Sequence, residues 1–224
     1  MGKSKKITKH IFDLDHTLYL EPDDKYDCWA RANQKALSDF GVVLPLDEVK
    51  AIGHAAYMAH KHQLSGFVEK YNLDFEALNQ AYHAHAIEEY KGKVVPNKRL
   101  ADHFNAIAAE DKVILTHSID IWTDAMLEVA DMKASMDPAN ILAQCHPMIN
   151  HVRKNESDVP IRAALQVLNA RPEQTAMYDD MHLNFEHAHD MGLHTVLIHW
   201  GREVPKTRPK NVSQMAIDIT QKLK

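Results

Sequence analysis

The chain has 224 residues, 45% of them hydrophobic and 25% charged; 26 basic against 31 acidic residues leave a net charge of −5 with the 16 histidines neutral. These proportions exclude a disordered chain, a collagen-like repeat and a coiled-coil rod, and they describe a globular protein with a real core. An acidic surface offers no bulk attraction to nucleic acid or anionic lipid, so any anion must be bound by local devices.

The N-terminus carries Lys3, Lys5, Lys6 and Lys9, as a signal peptide would, but Asp13 and Asp15 fall where its apolar region would have to lie. No run approaches the ~18 apolar residues of a membrane span. The two cysteines, Cys28 and Cys145, are too few for a disulfide framework. The expectation is a soluble, cytoplasmic monomer or homodimer, with no membrane and no nucleic-acid polymer as partner.

The first predicted element is a short β-prone run, residues 9–15, which ends in the acidic Asp13 and Asp15 and is followed by His16 and Thr17. From Tyr26 to Tyr90 apolar residues recur at three- and four-residue spacings. Ala30, Ala32, Ala36, Leu37 and Phe40 mark one helix that stops at Gly41, and residues 49–58, 64–71 and 75–90 read as further helices. After Pro96 the texture alternates: helix 99–109, strand 112–116, helix 121–133, a short strand at 141–143 and helix 160–168. Strand 174–178 runs into Asp179 and Asp180; helix 183–191 stops at Gly192; strand 194–198 follows, and a last helix is expected over 213–223.

Strands alternating with helices predict right-handed crossovers and a parallel sheet covered on both faces. The expected fold is thus an α/β, Rossmann-like core from residues 1–20 and 95–224, interrupted after its first strand by an all-helical block, 21–94. Ligands of such sheets bind beyond the carboxyl ends of the strands. Those ends carry Asp13, Asp15, His16 and Thr17; Thr116, His117 and Ser118; and Asp179 and Asp180, with Arg153 and Lys154 ahead of the helix near Pro160. Four carboxylates in one crevice repel one another unless a cation neutralises them, and hard oxygen ligands suit Mg²⁺. A Mg²⁺ with a lysine beside it would attract a phosphate to an otherwise acidic protein.

These residues resemble a family. Phe12-Asp13-Leu14-Asp15-His16-Thr17-Leu18-Tyr19 is similar to the first motif of the haloacid dehalogenase (HAD) superfamily, in particular its pyrimidine 5'-nucleotidase-like members, which read FDLDNTLY. Leu115-Thr116 resembles the second motif. Met177-Tyr178-Asp179-Asp180 with Asn184, Ala188, Gly192, Thr195 and Val196 resembles the fourth. The helical block lies between the first and second motifs, as in the subclass with a C1-type cap, so the resemblance spans nearly the whole chain.

The resemblance implies a Mg²⁺-dependent phosphomonoester hydrolase acting on a small phosphorylated substrate such as a nucleoside 5'-monophosphate. Asp13 would be the nucleophile and Asp15 the general acid and base. Asp13, Asp180 and the Asp15 carbonyl would hold Mg²⁺ with Asp179 assisting. Thr116 would bind a phosphoryl oxygen, Lys154 or Arg153 would supply the third-motif cation, and Thr17, His117 and Ser118 would line the substrate site. Two departures stand out. His16 replaces the usual Gly or Asn, either to contact substrate or cap or simply to fill space. Val152-Arg153-Lys154-Asn155-Glu156 lacks the Lys-Pro pair of the third motif. The alternatives are a sugar-phosphate mutase of the same superfamily and a catalytically degraded binding or regulatory protein.

The pairs His60/His62, His83/His85 and His187/His189 lie two residues apart, about 200° around a helix, and so cannot share one ion. Trp29, Tyr57 and Phe67 read as helix packing rather than a base-stacking platform. Trp122 reads as structural, and Cys28 as a cysteine without an activating cation.

Overall fold

The computed structural model describes residues 6–60, 62–201 and 207–221, so Lys3 and Lys5 lie outside the described residues. The chain divides into two compact units, one formed by the residues before Pro22 together with those from Val95 onward, the other by Pro22–Val94.

The first unit is built on six strands, β1 (Lys9–Phe12), β2 (Lys112–Leu115), β3 (Ile141–Leu142), β4 (Thr175–Asp179), β5 (His194–Ile198) and β6 (Gln214–Ala216). They form one sheet in the order β3-β2-β1-β4-β5-β6, every neighbouring pair parallel. The strands are apolar runs with no polar alternation: all four residues of β2 and all five of β4 are buried, as expected of a sheet covered on both faces. Ile11, Val113, Met177 and Leu197 pack with Ile161, Ala164 and Phe185 in one core cluster. Each such side chain contributes about 1.5–3 kcal/mol relative to exposure.

Helices α5 (Lys98–Asn105), α6 (Asp120–Val129), α7 (Val159–Val167) and α8 (Glu186–Asp190) connect these strands. The Asn97 side chain caps α5 by accepting the Leu100 N–H at 3.2 Å, and α7 carries Pro160 in its first turn, where no helical N–H partner is needed. The segment expected as helix 183–191 is split: a 3₁₀ turn, His182–Phe185, precedes a short α8, and Gly192 at φ +89° ends it.

The last expected helix, 213–223, is not formed among its described residues, 213–221; the rest of that span lies outside the described residues. Val212, Ala216 and Ile219 are buried at helix-like spacings, but residues 214–216 are β6 instead. The sheet edge decides the matter. β5 offers its free backbone groups, Val196–Ile198 pair with Gln214–Ala216, and reciprocal Ser213 and Thr195 contacts (Ser213 N–H to the Thr195 carbonyl at 3.0 Å) fix the register. Tertiary pairing overrides a weak local pattern.

The second unit holds α1 (Lys25–Asp39), α2 (Leu46–His60), α3 (Ser65–Tyr71) and α4 (Phe75–Tyr90), with no strand among its described residues. Trp29 packs against Tyr82 and Tyr90 with ring centroids 5.6 and 5.2 Å apart, and Phe67 is fully buried. Cys28, contrary to expectation, has cations beside it: Lys93 Nζ lies 3.1 Å and Arg31 Nη2 3.4 Å from its sulfur. Asp24 also ion-pairs with both cations, at 2.6 and 3.5 Å, and the thiol is fully buried.

Helices α2 and α3 meet at Gly66, where an added Cβ would stand 2.9 Å from the Ala56 Cβ and 3.2 Å from Ile52 Cγ2. Neither neighbour has a flexible end that can withdraw. Gly66→Ala should therefore lose about 1–3 kcal/mol in urea unfolding. An unchanged midpoint would show that the two helices are not packed this closely.

Candidate active site

The strand order places β1 beside β4 where the chain's path across the sheet reverses, and crevices of open α/β sheets form at that point. Asp13 is the first residue after β1, and its N–H donates to the Tyr178 carbonyl of β4 at 2.9 Å. Asp179 is the last residue of β4, Asp180 follows it, and Thr116 follows β2.

Lys154 crosses this edge. Its ammonium is fully buried and donates to Asp13 Oδ1 at 2.6 Å, to Asp179 Oδ2 at 2.7 Å and to the Leu115 carbonyl at 3.1 Å. Three N–H bonds meet three acceptors, so the charge is fully satisfied. Burial alone would push the Lys154 pKa down, but the two carboxylates outweigh it and hold the group cationic, with its pKa above the ordinary value. Of Lys154 and Arg153, Lys154 is thus the one whose ammonium meets Asp13 and Asp179, with no proline beside it in the chain. The Lys154 backbone N–H donates to His117 Nε2 at 2.9 Å, and the Arg153 N–H to Glu156 Oε2 at 3.2 Å, so the loop is pinned at the two consecutive amides that lead into the lysine's Cα.

Asp179 is fully buried and fully engaged. Beyond Lys154 it accepts from the Met181 N–H at 2.9 Å and from the Asn184 amide at 2.9 and 3.0 Å. Its capacity goes to holding Lys154 rather than to an outside ligand. Asp180 is the opposite case: among the described residues, no hydrogen bond or ion pair engages its carboxylate. Burial, with Asp179 and Asp15 nearby, pushes its pKa up to about 6 against the partial relief of His16 and Lys154. Burial likewise drives Asp13 well above the usual carboxylate range; Lys154 opposes this, and Asp179, Asp15 and Asp180 add to it.

Asp13, Asp179 and Asp180 are the one group of three or more candidate metal ligands among the described residues, with ligand atoms within 4.8 Å of one another. No histidine belongs to it. Hard oxygens, excess negative charge and an uncommitted Asp180 carboxylate fit a divalent cation such as Mg²⁺. Asp13 and Asp180 are the side chains able to take it.

Asp15 stands outside that group. Its Oδ1 accepts from the Tyr19 hydroxyl and from Trp122 Nε1 at 2.8 Å, and its Oδ2 accepts from the Ser118 hydroxyl at 2.6 Å. Ser118 is therefore turned to Asp15, and its N–H donates to Thr116 Oγ1 at 3.1 Å. Thr17 Oγ1 contacts Asp13 Oδ2 at 3.3 Å and is wholly buried, so it orients the carboxylate. His117 spends its acceptor nitrogen on the Lys154 backbone.

His16 adopts φ +58°, the left-handed conformation that Gly and Asn enter at least cost, which gives a physical reason for those residues being usual there. Its imidazole is paired with the buried Glu21 carboxylate, and its carbonyl accepts from Trp200 Nε1. Sequence reasoning did not single out Tyr19, Trp122, Asn184, Glu21 or Trp200 as site residues. Tyr19 and Asn184 lie inside the first and fourth motifs, and the place of Trp122 near a helix start reads as packing alone.

No family model matches the chain, and no curated protein matches its sequence. Solved structures do match its fold. CbbY from Rhodobacter sphaeroides, solved in complex with phosphate, superposes with a TM-score of 0.64 at 14% identity, covering 95% of this chain and 94% of that one. A HAD phosphatase from Thermococcus onnurineus gives 0.63 at 14%, covering 96% and 95%. YfnB from Bacillus subtilis, described as a HAD hydrolase and bound to magnesium, gives 0.62 at 15%, covering 96% of each chain. The chain has the HAD-like fold: a Rossmann-like parallel sheet with an inserted all-helical unit.

Removing the Lys154 ammonium leaves two buried carboxylates facing each other. Lys154→Met should lower the unfolding free energy by about 3–5 kcal/mol at neutral pH. The deficit should shrink on acidification, as the carboxyls take up protons. A loss under ~1 kcal/mol would equate this pair with a surface salt bridge.

Burial, with the charges of Lys154 and Arg153, pushes the His117 pKa down from 6.5 to about 3. The folded state keeps the ring neutral while the unfolded chain protonates, so its stabilisation is complete above pH 6.5 and is lost as pH falls toward 3. His117→Gln should remove about one proton from the uptake on unfolding in that window. An unchanged pH slope would show that the ring is not held neutral; His10, pushed down to about 4 mainly by burial, is common to both proteins and cancels in the comparison.

Proposed function

We propose that the protein is a Mg²⁺-dependent phosphomonoester hydrolase that works through an aspartyl-phosphate on Asp13. The observation that carries this reading is the Lys154 ammonium between Asp13 and Asp179, beside an uncommitted Asp180 carboxylate. A carboxylate tethered at one oxygen, with a positive charge beside it, supports reading Asp13 as the nucleophile and Lys154 as the partner of the phosphoryl oxygens.

In the first half-reaction an Asp13 carboxylate oxygen bonds to phosphorus as the ester oxygen departs, and Asp15 gives that oxygen a proton. In the second, Asp15 takes a proton from water, whose oxygen bonds to phosphorus and releases Asp13. Thr116 would hydrogen-bond a phosphoryl oxygen: its Oγ1 accepts from the Ser118 backbone N–H, and among the described residues no hydrogen bond engages its own O–H. A Mg²⁺ bound by Asp13, Asp180 and the Asp15 carbonyl would neutralise phosphoryl charge at this acidic edge.

The substrate class proposed is a small phosphorylated metabolite, with a nucleoside 5'-monophosphate suggested by the likeness of residues 12–19 to pyrimidine 5'-nucleotidase-like sequences. The same likeness assigns the helical unit the part of a C1-type cap that selects the substrate. The fold neighbours solved with phosphate and with magnesium support this reading. The seating of Lys154 between Asp13 and Asp179 supports this reading over that of a degraded binding protein. No helix among the described residues is long and apolar enough to cross a membrane; a cytoplasmic protein, monomeric or homodimeric, is the setting proposed.

The test is phosphate release from a panel of nucleotides and sugar phosphates, with and without Mg²⁺. Activity on at least one member, lost with a chelator and in Asp13→Asn, is expected. Residual release that is equal in wild type and Asp13→Asn defeats the reading, and isomerisation of a sugar phosphate without phosphate release would make the protein a mutase. Outer-shell changes at metal sites already cost 10–100-fold, so Asp180→Asn should raise the Mg²⁺ concentration for half-maximal activity at least about tenfold.

A further inference from the structure

Asp15 is asked to give and take a proton, yet its carboxyl is ringed by donors. Trp122 is the unusual member. Buried in the first turn of α6, it could pack there as any large apolar side chain would, but its indole N–H is spent on Asp15 Oδ1 at 2.8 Å. The Tyr19 hydroxyl meets the same oxygen, and the Ser118 hydroxyl meets Oδ2 at 2.6 Å.

The three donors are not equivalent. A hydroxyl can turn and accept, whereas an indole N–H can only donate. A proton placed on Oδ1 would make that oxygen a poor acceptor and set it against an N–H that cannot turn away. A proton placed on Oδ2 needs only that the Ser118 hydroxyl rotate and accept, and among the described residues nothing else holds that hydroxyl, because Ser118 reaches Thr116 Oγ1 through its backbone N–H.

We infer that Trp122 is a positioning residue for Asp15: its indole N–H locks Oδ1 as a permanent acceptor, so that Oδ2, the oxygen facing Ser118, is the one that carries the proton. This rests on the phosphatase reading and adds to it which carboxyl oxygen reacts and which side chain selects it. In the first half-reaction the Oδ2–H bond breaks and the proton goes to the departing ester oxygen. In the second, an Oδ2–H bond re-forms with a proton from the attacking water. Ser118 follows the proton by reversing its hydroxyl, and Trp122 does not move.

The test combines kinetics with a direct readout of the contact. Trp122→Phe keeps a buried aromatic ring but removes the N–H. On the best substrate of the panel it should lower kcat roughly 10- to 100-fold, the scale of a small misplacement of a catalytic group, with KM within about twofold. In an Asp15→Asn background the same substitution should cost nothing further, because the residue it positions is already gone. Ser118→Ala serves as the second variant, and it too should lower kcat while leaving KM nearly unchanged. In the ¹⁵N–¹H spectrum the Trp122 indole resonance, assigned as the one missing from Trp122→Phe, should shift in Asp15→Asn.

An active wild type whose Trp122→Phe variant loses the same factor in both backgrounds, or loses nothing, overturns this inference and leaves the phosphatase reading standing. An indole resonance unmoved by Asp15→Asn also overturns it. A wild type without phosphatase activity defeats the parent reading and this one with it, and the indole shift then shows whether the contact itself exists.

Discussion

One buried ammonium organises this protein's proposed chemistry. Lys154 reaches the carboxyl edge of the sheet from a loop distant in sequence, and there meets Asp13 at the end of β1, Asp179 at the end of β4 and the last carbonyl of β2. Taking a cation and two carboxylates out of water costs several times more than any surface pair returns. The arrangement persists because every N–H of the ammonium has an acceptor and Asp179 has further donors in Met181 and Asn184. The three strands it touches are adjacent in the sheet, β2 and β4 on either side of β1, so the lysine can satisfy itself only when their register is correct. A group that looks catalytic is also a lock on the fold.

The same geometry divides the carboxylates by role. Asp179 is saturated, Asp15 is surrounded by donors, Asp13 is tethered at one oxygen, and Asp180 is uncommitted. Four acidic side chains that look alike in the sequence thereby acquire four environments. The excess of negative charge over one lysine leaves the edge short of a cation, which is what burial and mutual repulsion express in the raised Asp13 and Asp180 carboxyls. A divalent ion at Asp13 and Asp180 would complete the charge balance, and an acidic protein could then attract an anionic substrate.

Much of this was legible in the sequence because its signals were local and mutually consistent. The apolar runs ending in Asp13, Thr116 and Asp179 marked the three central strands, and the alternation of strands and helices implied parallel order. What escaped notice depended on tertiary partners. Residues 214–216 carry a helix-compatible pattern and become a strand because β5 needs an edge partner. Motif counting left Lys154 and Arg153 unresolved, since the lysine's place is set by where the loop is pinned, by His117 at the lysine's own amide and by Glu156 at the amide before it. Trp122 is a large apolar side chain in the first turn of a helix, and nothing in its spacing says that its one polar atom faces Asp15. His16 fills a left-handed position and pairs with Glu21, a contact between residues five apart that no periodicity announces.

The claim on which the rest turns is that Asp13 forms a bond to phosphorus. It is tested most directly by incubating the protein with a phosphomonoester and Mg²⁺, quenching in acid and mapping the acid-stable phosphoryl label by mass spectrometry. The account predicts the label on the peptide that contains Asp13, formed and discharged at rates that match turnover. A label on any other side chain, or turnover with no phosphoenzyme at all, would contradict it.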